Sequence, residues 1–401
     1  MLKLGDLDIS LYFRMMKKII VLFVSFMVCS AVSAENFING ISSVVKKMNT
    51  VDSSYILPKQ HDWKVQMNYN VSQEYYNIRT DDGLKINLRT HTTNRLGPSI
   101  GYKMISGNLG FNLNANQNST TEKWEWNANI FSPMFSLDLY YRNSAGDFVI
   151  RNVESQLKPE VKRFFDAASP LLDKIEWDMI ETETYGGNIM YVFNHRKFSY
   201  PAAMTSSAVQ LRSAGSPLAG FGYTHHAMIN NYVNALQVLQ WVYRNTKELP
   251  NIDIDIAEHH LCDNIHFNDY TLWGGYAYNW VPVRNMLVSA SATLGLAYKT
   301  QKGSNENTYI YRDVNVFEPI GNKIRIDNDM FDMNFAGKAS IQYNNSRFFF
   351  GTRFMYNYFG YNHGDKELRI DDNYWSLRLY VGLRFGGKKP LFASRKKKTR
   401  Q

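Results

Sequence analysis

The sequence predicts an all-β protein: an antiparallel transmembrane β-barrel of 12–14 strands, 14 preferred, with short periplasmic helices and long extracellular loops. Three observations predict it. Apolar and polar residues alternate strictly over runs of about 8 to 14 residues, the lengths that cross a bilayer as tilted strands. Aromatic residues are abundant, with 26 Tyr, 24 Phe and 8 Trp among 401 residues, and flat rings suit strands and the membrane–water interface. A secretory signal precedes both features. With 44% hydrophobic and 20% charged residues the chain is neither a disordered acidic chain nor a bundle of apolar spans of about 20 residues. Two cysteines, Cys29 and Cys262, exclude a disulfide-stapled fold.

The signal lies at residues 15–34, MMKKIIVLFVSFMVCSAVSA. Lys17 and Lys18 supply the positive start, Ile19 to Val28 an apolar core too short for a membrane helix, and Val32-Ser33-Ala34 the small-residue cleavage site. Cleavage is expected between Ala34 and Glu35, and residues 1–14 read as an over-called start. Val28 before Cys29 argues against lipid attachment. Residues 35–61 form a periplasmic lead-in, 62–385 the barrel and 386–401 a basic tail. The first 34 residues carry four basic and two acidic side chains, so the formal charge of +9 falls to +7 on maturation. Lys388, Lys389, Arg395, Lys396, Lys397, Lys398 and Arg400 account for all of that, so the charge belongs to the tail and not to a nucleic-acid-binding face.

Within the barrel region, Trp63, Val65, Met67, Tyr69 and Val71 alternate with Lys64, Gln66, Asn68, Asn70 and Ser72. The same period returns at 135–142, 331–343, 348–358 and 375–385. A soluble sandwich also alternates, but with strands of about five or six residues; a closed barrel satisfies every backbone group in lipid while keeping polar side chains inside. Fourteen strands are assigned at 62–79, 84–105, 109–117, 123–131, 135–142, 147–153, 176–185, 188–194, 217–227, 271–281, 286–299, 330–343, 347–359 and 374–385. Twelve remain open, because 147–153 and 188–194 carry little pattern. Tight links at Ser106-Gly107, Ser132-Pro133, Pro282 to Asn285 and Asn344 to Ser346 fall on the periplasmic side; long ones at 228–270, 300–329 and 360–373 fall outside. Helical spacing occurs at 35–60, at 158–175 (placed in the periplasm) and at 232–248. Gly186-Gly187 reads as a turn and Gly274-Gly275 as small residues in a crowded strand.

Seven strings in order carry a resemblance: VDSSYI at 51–56, NRLGPSIGYK at 94–103, FSLDLYYRNSAGDFVIRNV at 135–153, YVFNHRKFSYPAA at 191–203, QLRSAGSPLAGFGYT at 210–224, YNWVPVRN at 278–285 and LYVGLRF at 379–385. Together they resemble the exported bacterial family known as domain of unknown function 4421, over about residues 51–385. The resemblance implies a barrel in the outer membrane of a Gram-negative bacterium and brings no activity with it. The basic extension after Phe385 and the 228–270 loop depart from it.

Parity along the strands puts Lys64, Asn112, Asn127, Asp138, Arg142, Lys338, Arg353, Arg378 and Arg384 on the lumen face. Charges of both signs there suit either a salt-bridge network that fills the barrel or a selective channel. The segment 195–217, too long for a turn, is a candidate plug. Glu258, His259, His260, Cys262, Asp263 and His266 form the densest set of metal-ligand types; on a helix His259, Cys262 or Asp263, and His266 would share a face. The preceding Asn-Ile-Asp-Ile-Asp run does not promise a helix, so the site is left as solvated and no cofactor is assigned. His225, His195 and Ser199 offer hydrolase chemistry, but no G-x-S-x-G elbow and no acidic partner accompany them, and no enzyme is expected. The expected partners are outer-membrane lipid, the barrel-assembly machinery and a periplasmic partner docking on the basic tail or helix. The functional expectation is a barrel that binds or passes a small solute or lipid-like molecule through a narrow, partly plugged lumen. The alternative is a non-conducting scaffold.

Overall fold

The computed structural model describes residues 50–57, 63–80, 84–102, 105–113, 125–145, 148–155, 180–230, 264–304, 308–313, 316–320, 325–345, 347–362 and 368–386. Met1–Thr50 is a separate unit from the remainder. The expected signal peptide, most of the expected lead-in, the helices expected at 158–175 and 232–248, and the tail from residue 387 lie outside the described residues.

Twelve strands hydrogen-bond side by side and close on themselves. They are β1 (Trp63–Thr80), β2 (Thr93–Tyr102), β3 (Ile105–Leu109), β4 (Glu125–Phe131), β5 (Phe135–Ala145), β6 (Ile180–Val192), β7 (Ala214–Asn230), β8 (Asn264–Trp280), β9 (Met286–Ser304), β10 (Arg325–Asn344), β11 (Phe348–Asn362) and β12 (Leu368–Phe385). Every neighbour pairs antiparallel, and β12 closes on β1 from Leu368↔Thr80 to Phe385↔Trp63. Leu84–Thr90 prolongs β2 along β1, with a one-residue bulge at His91-Thr92 where Ser72↔Thr93 gives way to Tyr75↔Arg89.

The count of fourteen is corrected to twelve at two places. Phe148–Ser155 does not enter the ring but pairs with the outer edge of Leu84–Thr90. The pieces expected at 176–185 and 188–194 are one strand, β6, which runs straight through Gly186-Gly187. These glycines are not a turn but a close approach. A Cβ on Gly186 would collide with the Tyr223 carbonyl oxygen and stand 2.9 Å from Thr224 Cα, so β6 can lie this near β7 only without a side chain. Ser106-Gly107, also read as a link, lies within β3; the hairpin is tighter, with Tyr102 opposite Ile105.

Twelve strands put the links at 103–104, 132–134, 193–213, 281–285 and 345–347 at the end that also holds Trp63 and Phe385. The strand ends at Asn230 and Asn264, Ser304 and Arg325, and Asn362 and Leu368 lie at the other end. The strand ends at Ala145 and Ile180 lie at that end too.

The alternating pattern separates two faces. Lys64, Gln66, Asn68, Asn70, Ser72 and Glu74 are buried inside, whereas Trp63, Val65, Met67, Leu294, Leu296, Met333, Ile341, Leu379 and Val381 are exposed outside. An apolar belt of this extent has no counterpart on a water-facing surface and is what a hydrocarbon layer requires. Trp63 rests against Tyr102 and stacks with Phe385, at centroid distances of 4.7 and 6.5 Å, forming an aromatic edge at the terminal end. Among the described residues no helix is long and apolar enough to cross a membrane; the strands cross instead.

Away from the termini the phase reverses. Met228, Ile265, Phe267, Tyr361 and Ile370 turn inward and are buried, while Glu181, His266 and Lys302 turn outward and are exposed. Past the lipid the outside is water, so the barrel end packs like a soluble protein. Strands therefore extend beyond the apolar-outside runs, β8 beginning at Asn264 and β12 at Leu368.

The belt yields a direct test. Leu294, near the middle of β9, is 65% exposed. Leu294→Arg is expected to destabilise the folded barrel by about 2–4 kcal/mol in bilayers, the cost of a cation at the hydrocarbon midplane. The same change on a water-facing surface falls within about 0.5 kcal/mol. Urea unfolding of the variant in lipid vesicles reads the difference, and a neutral outcome rules out lipid contact there.

Candidate functional site

At the terminal end the segment between β6 and β7 folds into the lumen. Its centre is a short helix, α1 (Tyr200–Thr205), all of whose residues are buried. Ser199 caps it, its Oγ accepting from the Ala202 N–H at 3.1 Å, and Pro201 needs no donor partner in the first turn. Ser206 ends it in the left-handed region at φ 53°. A helix end leaves carbonyls without intrahelical donors, and here the barrel wall supplies them. Gln342 donates to the Ala202 carbonyl, Ser340 and Arg353 to that of Ala203 at 3.3 and 3.4 Å, Lys64 to that of Thr205 at 3.0 Å, and Arg384 to that of Ser206. Three of these donors are cations at a helix C-terminus, where the dipole favours positive charge. The opposite wall is apolar: Phe198, Ala202 and Met204 pack with Met190, Val192, Leu218, Trp273, Ala277 and Leu287. The plug is thus an amphipathic wedge between two unlike walls.

Its underside is tied to the lead-in. Ile56–Leu57 pairs with Val209–Gln210, and the Asp52 N–H donates to the Arg196 carbonyl at 2.8 Å. Lys197 and Arg212 lie over the Tyr55 ring at 5.3 and 5.8 Å. Ser54 donates to Asp52 from both its backbone and its hydroxyl, which holds that carboxyl below its usual range.

The opposite closure is a layer of rings and aliphatic groups from facing walls. Phe267 of β8 meets Tyr361 of β11 at 4.5 Å, and His226 of β7 lies 5.9 Å from Tyr76 of β1. Met228, Ile265, Phe359 and Ile370 complete the layer. Below it Lys299 and Asp269, directly opposite on β9 and β8, pair at 3.0 Å with both side chains buried.

Between plug and ring layer lies a cavity of about 200 Å³. Two ion pairs brace it across non-adjacent strands: Lys338–Asp138 and Arg142–Glu74, both at 3.7 Å. Of the nine residues assigned to the lumen by parity, Lys64, Asn127, Asp138, Arg142, Lys338, Arg353 and Arg378 line this cavity. Arg384 points inward below it, donating to Ser206, Asn344 and Asn345. Asn112 sits on the two-residue strand Phe111–Asn112, opposite Arg95. Glu74, Arg95, Glu125 and Lys299 share the inward parity of the assigned residues, whereas Asp269 lies on a stretch of β8 that the sequence places in the 228–270 loop. Arg95 pairs with Glu125 inside the barrel.

His259, Cys262 and Asp263 lie outside the described residues. His266 sits on the outer face beside His225, their rings 5.6 Å apart, and His225 also stacks on Tyr185. Among the described residues no group of three metal-ligand side chains converges. The Ser199 hydroxyl is engaged as the α1 cap.

A closed barrel with an apolar outer belt and polar side chains inside defines a membrane-spanning β-barrel protein of the outer-membrane type. Within that class the chain belongs to the family described as domain of unknown function (DUF4421), whose model matches residues 50–385. No curated protein matches it by sequence. Among solved structures it is similar to the outer membrane protease OmpT of Escherichia coli, at 6% identity and a TM-score of 0.33, over 84% of this chain and 100% of that one. It is also similar to the toluene transporter TodX of Pseudomonas putida, at 8% identity and 0.26, over 81% and 90%. A third likeness is to the outer membrane protein OprG of Pseudomonas aeruginosa, at 10% identity and 0.22, over 82% and 98%. At these scores the likenesses carry nothing about function.

Proposed function

We propose that the protein is an outer-membrane barrel that binds a small solute in the mid-lumen cavity and passes it only when the plug moves. One observation carries this reading: a cavity lined by charged, polar and apolar side chains lies between a plug held largely by side-chain-to-carbonyl hydrogen bonds and a separate layer of rings. A barrel that served only as a wall would gain stability by filling that space, since cavities cost packing energy. The plug's fastening to wall and lead-in gives it something to be released from, and a periplasmic partner acting on residues 51–57 or on the basic tail is the candidate trigger.

The double closure also favours the second reading, a non-conducting scaffold. Equilibrium dialysis of the purified barrel against small polar solutes, with planar-bilayer recordings of the same protein, separates the two. One bound solute per barrel together with a closed resting state is expected. No binding by any solute supports the scaffold, and a steady open pore in the unmodified protein refutes the sealed cavity.

A further inference from the structure

We infer that the mid-lumen cavity holds the carboxylate of a small, monoanionic organic acid between Arg353 and Arg378, an assignment that rests on the solute-binding reading above. Arg353 on β11 and Arg378 on β12 are direct cross-strand partners on the inward face. Like charges directly opposite one another are destabilising in a sheet, and an anion between them removes the repulsion. The row continues from Arg378 to Asn70 and from Asn70 to Arg95. Of the basic groups in and beside the cavity, Arg95 has Glu125, Arg142 has Glu74 and Lys338 has Asp138. Among the described residues neither Arg353 nor Arg378 makes an ion pair; Glu125, paired with Arg95, is the cavity carboxylate that acts on Arg378 from farther away. Arg353 reaches the Ala203 carbonyl with one nitrogen and lies over the Tyr380 ring at 5.2 Å, yet its buried Nε has no hydrogen-bond partner. A buried donor without an acceptor is costly, and Arg353 Nε is one on the cavity wall.

The class of anion follows from the rest of the lining. Guanidinium forks match the planar, bidentate geometry of a carboxylate. Asp138 and Glu125 share the cavity and disfavour a second negative charge. Met190, Trp273, Met355 and Phe359 give an apolar side for the body of the acid. The cavity, of about 200 Å³, has room for a body of one ring or a short chain.

The test is calorimetric titration of the purified full chain in detergent micelles with benzoate, its neutral counterpart benzamide, and inorganic phosphate. Benzoate is expected to bind at least tenfold more tightly than either. Arg378→Gln is expected to lose at least tenfold for benzoate with no change for benzamide. Arg378→Lys keeps the charge but not the fork and is expected to fall between. Removing one of two facing cations relieves repulsion, so Arg378→Gln is expected to fold at least as well without ligand, read from its heat-dependent gel migration. If it does not fold, the Arg378→Lys titration and the wild-type benzoate–benzamide contrast decide alone. Equal binding of benzoate and benzamide overturns the anion assignment and leaves the solute cavity standing. Phosphate binding as well as benzoate overturns the carboxylate class. Failure of all three probes and of the dialysis series removes both readings.

Discussion

Lys299→Met is expected to cost the folded barrel about 3–5 kcal/mol, the penalty for removing one member of a buried ion pair. Lys299 is fully buried and Asp269 almost so. The ammonium also donates to Asn334 Oδ1 at 2.8 Å and the Gly360 carbonyl at 2.5 Å, and sits 4.1 Å from the Tyr361 ring centroid. Methionine fills similar volume but leaves Asp269 with only Thr271 and Asn334 as donors, and the Gly360 carbonyl without its lysine. The charge then stands in a dry site with no counterion. Lys299→Met/Asp269→Leu removes both charges and is expected to recover most of the loss, because a buried pair is often nearly neutral against an apolar replacement. Urea midpoints in micelles measure both. A single variant as stable as the wild type means water reaches Asp269, and the ring layer then does not seal.

The membrane band was legible in the sequence because lipid outside and polar groups inside impose one phase on every strand. Trp63 to Val71 and Trp375 to Phe385 announce their facing without reference to any partner. Beyond the lipid that phase inverts, and strand ends such as Ile265–Phe267 and Tyr361 looked like interruptions although they continue the same ladder. Gly186-Gly187 misled for a related reason. A glycine pair signals a turn when only the local chain is read, and here its cause is the Tyr223 backbone 37 positions away from Gly186. The inward parity of Arg353 and Arg378 was readable, as was the excess length of 195–217. Which wall residue meets which plug carbonyl was not, since Lys64 and Thr205 are 141 positions apart. Nor could parity reveal that Arg353 and Arg378 face one another, because register between strands depends on loop lengths that alternation leaves free.

Opening the lumen is expected to require two changes together. The plug and the ring layer are obstructions in series, and the total resistance of a pore is set by its tightest section. Excising 197–212 and rejoining β6 to β7 through a short Gly-Ser linker removes the first. The hairpin retains its ladder from Ile180↔Asn230 to Val192↔Leu218, which holds the strands in place without the plug. Phe267→Ala/Tyr361→Ala removes rings that meet across the lumen at 4.5 Å. Each variant alone is expected to record as closed in planar bilayers, and the combination to give a steady current at least tenfold above either. Gln342→Ala/Arg384→Ala provides a milder route past the plug. It deletes the donors to the Ala202 and Ser206 carbonyls, at about 1 kcal/mol for the neutral bond and 1.5–3 for the charged one. In the ring-deleted background it is expected to produce flickering openings, as the wedge leaves and returns. A full current from plug excision alone would falsify the series arrangement, because a packed ring layer cannot pass ions. Full current from the ring deletions alone would make the plug porous, despite its wall of hydrogen bonds from Lys64 to Arg384.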